Sequence, residues 1–327
     1  MASPTLRQAG DDYLLTVALS RSERTAKIYA CALDVLFAVL AEQGLAPEQA
    51  GPEALDAEAL KIFIEHLARE YSPATEQLYL VAVRGFYEYL EAEELISVNQ
   101  ARLRQLIRRR SRRRTQKLPQ FPHDEIEQLL AYAEQMNGLA VEDETDRLIN
   151  LRDRAFLLTL ADTGLRVHEA CQLVRGDLNW HEGKAMVIGK GGYQAVVRFS
   201  SRALRALRAY LEARRLLDGA DRRGLASLPL FARHDRAAGK KIRPISTVTG
   251  RKIVAARVQE ALGEAAAGLI TPHTFRHYFV TAVLRGTGNL RLAQELARHR
   301  SIASTQVYTH LASDELDQGY YEVFEQE

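Results

Sequence analysis

Four short stretches of this sequence hold side chains that could grip and cut a phosphodiester. The first is Thr271-Pro272-His273-Thr274-Phe275-Arg276-His277. A capping threonine followed by proline opens a helix, and His273 and Arg276, three apart, share a face of it. A helix N-terminus attracts anions through its free N–H groups and dipole, so an imidazole and a guanidinium placed there make a phosphate pocket. The second is Thr163-Gly164-Leu165-Arg166-Val167-His168-Glu169. Gly164 ends one helix and Arg166 stands at the start of the next, with Glu169 one turn on and able to hold its guanidinium by a bidentate pair. The third is Lys190 in Gly189-Lys190-Gly191-Gly192, a turn without the GxxxxGK[ST] frame of a nucleotide loop. The fourth runs from His299 to His310 and contains Tyr308, one of 13 tyrosines.

Taken singly, each stretch has a plainer reading: a structural histidine beside a surface arginine, a local ion pair, a solvated turn lysine, a packed tyrosine. The elements that must position them are mostly helical. Residues 1–100 read as a small all-helical domain: apolar positions at helical spacing run over 7–49 with a polar break at Ser20–Ser22, then over Ala57–Glu70, then from Pro73 past Leu90. Leu14, Leu15, Val17 and Leu19 mark the first helix, and Leu78, Leu80, Val81, Val83, Phe86 and Leu90 the last. Ser72 and Pro73 form a helix start. A basic linker over 101–117 follows.

The remainder, 118–327, reads as a mixed domain. A helix capped by Asp124 comes first, then Arg152–Asp162, stopping at Gly164. A hairpin pairs Ala185–Ile188 with Ala195–Phe199 across the glycine-rich turn. A helix over Arg202–Arg214 leads to an irregular stretch, Leu217–Thr249, with one short strand at Leu228–Phe231. Helices are expected at about 250–266, 272–285, 290–298 and 304–311.

A length of 327 residues suggests two domains, and 46% hydrophobic residues is ordinary for a folded chain. No apolar run is long enough to span a membrane, and the first residues lack the pattern of a secretory signal. Cys31 and Cys171, far apart and outside any CxxC, read as reduced, buried thiols of a cytoplasmic protein. The net charge of +2 conceals a polarity. Residues 1–100 carry 7 Lys and Arg against 16 Asp and Glu, whereas residues 101–117 carry 9 basic residues and no acidic one. That short segment holds Arg108, Arg109, Arg110, Arg112, Arg113, Arg114 and Lys117. It is either a solvated linker or a strap against DNA phosphates.

Together, in this order and spacing, the four stretches resemble the tyrosine recombinases, also called the phage integrase family, and within it the Xer-like members. The resemblance covers nearly the whole chain. It implies a mainly α fold with a small β-hairpin or sheet: an all-helical DNA-clamping domain, a basic linker and a mixed α/β catalytic domain with a C-terminal tail. The family's first arginine, in TGLR-x-x-E, falls on Arg166, with Glu169 supporting it. Its hairpin lysine falls on Lys190, and its H-x-x-R-H box on His273, Arg276 and His277. Its fifth residue falls on His299, and its nucleophile on Tyr308.

The implied activity is site-specific cutting and rejoining of DNA through a covalent 3′-phosphotyrosine, with no metal and no ATP or other cofactor. The implied partners are double-stranded DNA and three further copies of the chain, with the aromatic tail Asp317–Glu327 packing either on its own domain or on a neighbour. Arg24 and Lys27, with Arg21, Thr25, Arg84 and Tyr87, are candidates for a DNA-facing surface on the acidic first domain. A type IB topoisomerase, or a DNA-binding regulator that has lost catalysis, is the alternative. One departure stands out: Arg298 and Arg300 flank His299 where the family has Gly and Ser. Where that glycine serves a positive φ or a tight approach, its replacement disturbs the geometry of His299; alternatively Arg298 stays helical and adds a phosphate contact.

Overall fold

The computed structural model describes residues 3–110, 122–138, 143–189, 194–221, 223–235 and 242–298. The chain folds as two compact units, Met1–Lys117 and Leu118–Glu327, and is mainly helical with one small sheet.

Five helices build the first unit: α1 (Leu6–Ser20), α2 (Glu23–Glu42), α3 (Ala57–Glu70), α4 (Pro73–Ala92) and α5 (Gln100–Arg110). Each of the first four starts on an oxygen-bearing side chain that accepts from the first-turn backbone: Thr5, Ser22, Asp56 and Ser72. Such caps satisfy N–H groups the helix itself cannot pair. Ser72 and Pro73 occupy the cap and first helical position, as their sequence predicts. Leu33, Leu36, Leu60, Phe63, Ile64, Val83, Phe86 and Leu90 close the core. Two glycines let α1 approach its neighbours. A β-carbon on Gly10 would meet Phe37 Cζ at 2.7 Å, and one on Gly85 would meet the Tyr13 hydroxyl at 2.4 Å.

Some apolar side chains face outward, and so does the Cys31 thiol expected to be buried, whereas Cys171 is buried. Leu15 and Leu19 of α1 are 64% and 91% exposed, while Leu6, Ala9, Tyr13 and Val17 turn inward. The first part of the basic segment, expected as linker, is helix. α5 carries Leu103 into the core at 3% exposure and leaves Arg104, Arg108 and Arg109 outside. Arg112, Arg113, Arg114, Lys117 and the Arg110 side chain lie outside the described residues.

The second unit packs around α7 (Glu144–Thr163). Phe156, Leu157, Leu158, Leu160 and Ala161 are all buried, so the later turns of α7 are enclosed almost all round. The helix begins at Glu144 behind the Asp143 cap, earlier than the sequence suggested, and ends on Gly164 at φ +59°. Around it lie α6 (His123–Gln135), α8 (Val167–Gln172), α9 (Ser201–Ala213), α10 (Arg215–Ala220), α11 (Thr247–Leu262), α12 (Pro272–Thr287) and α13 (Leu290–Ala297). Pro122, not Asp124, occupies the N-cap position of α6, and no side chain caps it; Asp124 falls in the first turn and favours the helix dipole from there.

The sheet has three antiparallel strands in sequence order: β1 (Leu178–Asn179), β2 (Lys184–Ile188) and β3 (Gln194–Arg198). The β2–β3 hairpin pairs Lys184 with Arg198 and Ile188 with Gln194. Its inner face buries Ala185, Val187 and Val197. The Lys190 turn joining the strands, and the helix expected at 304–311, lie outside the described residues.

No strand forms at Leu228–Phe231. The carbonyls of Pro229 and Leu230 accept instead from the guanidinium of Arg214, at 2.8 and 3.3 Å. Only isolated bridges occur there, Val174 with Pro229 and Ala232 with Pro244. Arg214 is 0% exposed and pairs with Asp218 at 2.8 Å. Among the described residues, no helix is long and apolar enough to cross a membrane.

Candidate active site

Gly164 is the hinge of the site. Its φ of +59° suits glycine, and a β-carbon there would meet Phe279 Cδ1 of α12 at 2.4 Å. The chain can therefore turn sharply from α7 into α8 while α12 packs against the turn. This places Arg166 at the N-cap of α8. Its backbone N–H donates to Glu169 Oε2 at 2.9 Å, and its Nη1 to Glu169 Oε1 at 2.8 Å. The guanidinium is thus held through one nitrogen, not by the bidentate pair the sequence suggested, and its side chain stays 42% exposed.

α12 supplies the next two residues. Thr271 caps it and Pro272 takes the first position, so His273 and Arg276 lie in its first turn and a half. Arg276 is 3% exposed. Its Nη1 donates to the Gly164 carbonyl at 2.6 Å, and its Nη2 donates to the Ala297 carbonyl at the end of α13. Arg166, His273 and Arg276 line one cavity of about 480 Å³, together with His168 of α8 and Arg251 of α11.

The site's electrostatics follow from this crowding of cations. Burial, with Arg276 and Arg166 nearby, holds His273 below the ordinary histidine value. His277, edge-to-face with His273 at 4.5 Å between centroids, is pushed down to about 4 by burial, His273 and Arg276. Both imidazoles are therefore neutral near pH 7, and His273 has a ring nitrogen free to accept a proton.

Arg298 resolves the alternatives its sequence left open. It is the C-cap of α13, at φ +58° and ψ +44°, the left-handed conformation glycine would adopt without strain. An L-residue with a β-carbon bears about 1–2 kcal/mol for it. It is not helical, and it turns inward. Its Nη2 donates to Glu169 Oε2 at 3.0 Å and lies 3.5 Å from the Gly164 carbonyl. The side chain is 12% exposed, and Nε and Nη1 have no hydrogen-bond partner among the described residues.

Burial alone would raise the Glu169 pKa, but Arg298 and Arg166 outweigh it and hold the carboxyl below its usual range. Arg298 moves down too, because burial and Arg166 oppose its charge more than one shared carboxylate supports it. It remains a cation at any ordinary pH.

Three of the six catalytic candidates, Arg166, His273 and Arg276, thus meet around one cavity, with Glu169 and His277 beside them. Lys190, His299 and Tyr308 lie outside the described residues. Arg251 was not singled out by sequence, since a lone arginine within a helix carries no signal. Arg298 was marked only as a departure from a pattern. On the first unit, Tyr87 is excluded from a DNA-facing role. It is 0% exposed and donates to the Asp56 carbonyl, because its phase on α4 follows Val83 and Phe86 inward. Arg24 is exposed. Lys27 is exposed and paired with Glu23 at 2.6 Å, and Arg84 with Glu88 at 3.5 Å.

The chain is similar to known proteins over most of its length. Residues 119–315 match the sequence model of the phage integrase family, and residues 11–94 match that of the phage integrase N-terminal SAM-like domain. Tyrosine recombinase XerC of Pelobacter propionicus is 36% identical over 284 residues, covering 86% of this chain and 82% of that protein. XerC of Pelotomaculum thermopropionicum is 31% identical over 273 residues, 82% of this chain and 81% of that protein. Among solved structures, a XerH recombinase bound to a palindromic difH substrate superposes with a TM-score of 0.67 at 20% identity, over 92% of this chain and 80% of that one. A lambda integrase fragment bound to a core site superposes at 0.63 and 18% identity, over 93% and 95%.

Proposed function

Since this chain belongs to the phage integrase family and is a tyrosine recombinase, we propose that it exchanges DNA strands at a specific site through a covalent 3′-phosphotyrosine on Tyr308. The observation that carries this reading is the convergence of Arg166, His273 and Arg276 on one cavity.

In the proposed cleavage step the Tyr308 oxygen attacks the scissile phosphorus, the P–O5′ bond breaks and a P–O(Tyr) bond forms. His273, neutral at pH 7, takes the phenol proton. Lys190 gives a proton to the departing 5′-oxygen, and His299 hydrogen-bonds the phosphate. Arg166 and Arg276 bind the non-bridging oxygens, whose charge grows in the pentacoordinate transition state. Fixed donors of that kind are worth about 3–4 kcal/mol each where measured in other enzymes. Guanidinium groups can do the charge work of a metal ion, and the phosphotyrosine ester conserves the energy of the broken bond. The chemistry therefore needs neither metal nor ATP. A 5′-hydroxyl from a second duplex reverses the step on a new partner.

Exchange between two duplexes involves four strands, hence four copies of the chain, with Tyr320, Tyr321, Val323 and Phe324 of the tail available to dock on a neighbour. Arg104, Arg108 and Arg109 on the exposed side of α5 begin the cationic track that Arg110, Arg112, Arg113, Arg114 and Lys117 continue in sequence. These phosphate contacts would set affinity and its salt dependence rather than sequence preference. The DNA-bound state of the two fold neighbours is consistent with this partner.

The test is a duplex nicked near the scissile phosphate, which traps a covalent adduct. A denaturation-resistant protein–DNA band that disappears in Tyr308→Phe is expected. A band that persists in that variant would remove the assignment.

A further inference from the structure

We propose that Arg298 is a positioning residue that keeps Arg166 turned toward the phosphate by taking half of Glu169. The inference rests on the recombinase reading above and adds to it a residue that the family's motif does not contain.

The Glu169 carboxylate is buried, its side chain 2% exposed, between two guanidinium groups. Arg166 alone with Glu169 would be a neutral pair, which attracts an incoming phosphodiester less than a net cation does. Arg298 makes the trio net positive. Its place matters as much as its charge. Glu169 Oε2 receives the Arg166 backbone N–H at 2.9 Å and Arg298 Nη2 at 3.0 Å, leaving only Oε1 for the Arg166 side chain. With Arg298 removed, Oε2 could take a second guanidinium N–H of Arg166 and close the planar two-point fork that arginine and carboxylate favour. Arg166 would then be spent on Glu169. Arg298 also joins the elements of the site, because its nitrogen contacts residues at the start of α8 while its backbone ends α13.

The strain at Arg298 has the direction this role requires. A left-handed backbone at φ +58° would suit glycine, yet the chain keeps a long cation there and buries it. Backbone outliers that survive at a site point to a function that the surrounding contacts sustain.

The experiment is Arg298→Gly in the nicked-duplex assay, under single turnover. Glycine relieves the backbone, so if Arg298 were only a helix end the variant would melt no lower and cleave as fast as the parent. The expected result is a cleavage rate lower by about tenfold or more, with the half-saturating DNA concentration moved by less than about threefold, the signature of an interaction expressed in the transition state. Arg298→Lys should recover part of the rate, and in a Glu169→Gln background the Arg298→Gly effect should shrink. Parental cleavage by Arg298→Gly, or an undiminished effect in the Glu169→Gln background, overturns the proposal. Should the glycine variant fail to fold, the ratio of Arg298→Lys to Arg298→Met decides it, and equal rates are the negative result. A parent protein that forms no Tyr308-dependent adduct refutes the recombinase reading itself. An adduct unaffected by Arg298→Gly refutes only the positioning role.

Discussion

The guanidinium of Arg276 donates to the carbonyl of Gly164 at 2.6 Å, joining residues 112 positions apart in the chain. A second donor from the same side chain reaches Ala297. One buried cation therefore fastens the end of α7 and the end of α13 beneath the cavity that its charge serves.

This dual use predicts an asymmetric outcome for conservative change. Lysine keeps the charge but lacks the fork that reaches two carbonyls. Arg276→Lys should lower thermal stability by about 1–3 kcal/mol, the cost of a buried acceptor left unpaired. Cleavage should fall by about 100-fold or more, as when a transition-state donor is lost. Thermal melts and adduct formation on one preparation check both. Wild-type stability with lost cleavage would mean that the carbonyl contacts carry no load.

Gly164 should tolerate no side chain. Alanine there would meet strain at φ +59° and press against Phe279 Cδ1, 2.4 Å from the new carbon. The expected destabilisation of Gly164→Ala exceeds about 1 kcal/mol, and adduct formation should fall with it, since Arg166 follows two residues later. Denaturant unfolding measures the first effect. A variant as stable as the parent would show that α12 can withdraw freely.

The depressed histidines set the acid side of the stability profile. His277 is held near 4 and His234, buried beside Arg152 and Arg214, near 3, both below the usual 6.5. A histidine kept neutral by folding takes up its proton more readily in the unfolded chain. Stability is then fully present above pH 6.5 and declines as pH falls toward 4 for His277 and toward 3 for His234. The melting temperature should drop through this window, and His277→Gln should flatten its upper part. A melting temperature unchanged between pH 7 and 4.5 contradicts the assignment. Cleavage should keep its rate to below pH 6.5 for a related reason, since His273 is also depressed.

Much of this was legible in the sequence because local chemistry wrote it. Ser72-Pro73, Thr271-Pro272 and Gly164 are punctuation with one physical meaning each, and all three behave accordingly. The boundaries of α3 match because its apolar stripe is clean. What was not legible depends on the rest of the fold. Runs such as Leu14-Leu15 and Leu80-Val81 cannot say which member turns inward: Leu80 is 3% and Val81 45% exposed. Tyr87 looked like a surface aromatic until its neighbours set its phase. The same limit applies to the site. Spacing put His273 and Arg276 on one helix face, but only tertiary structure could show that Arg251 lines their cavity and that Arg298 curls back onto Glu169.

The strand expected at Leu228–Phe231 failed for a reason that makes its own prediction. A buried arginine, Arg214, takes the Pro229 and Leu230 carbonyls that a neighbouring strand would otherwise have paired, while binding Asp218 and the Tyr210 hydroxyl. Its guanidinium is fully enclosed, so water cannot replace it. Arg214→Met, similar in length and uncharged, would leave two carbonyls unpaired in the interior and Asp218 with Arg175 as its remaining cation. The expected loss is about 3–5 kcal/mol, the usual cost of removing one partner from a buried pair. Adding Asp218→Asn should return part of it by removing a buried charge left with one partner in place of two, although Arg175 would lose its partner in turn. Chemical denaturation of the two single variants and the double variant measures the coupling. Additive losses would show that Arg214 acts through the carbonyls alone and that Asp218 is held by Arg175.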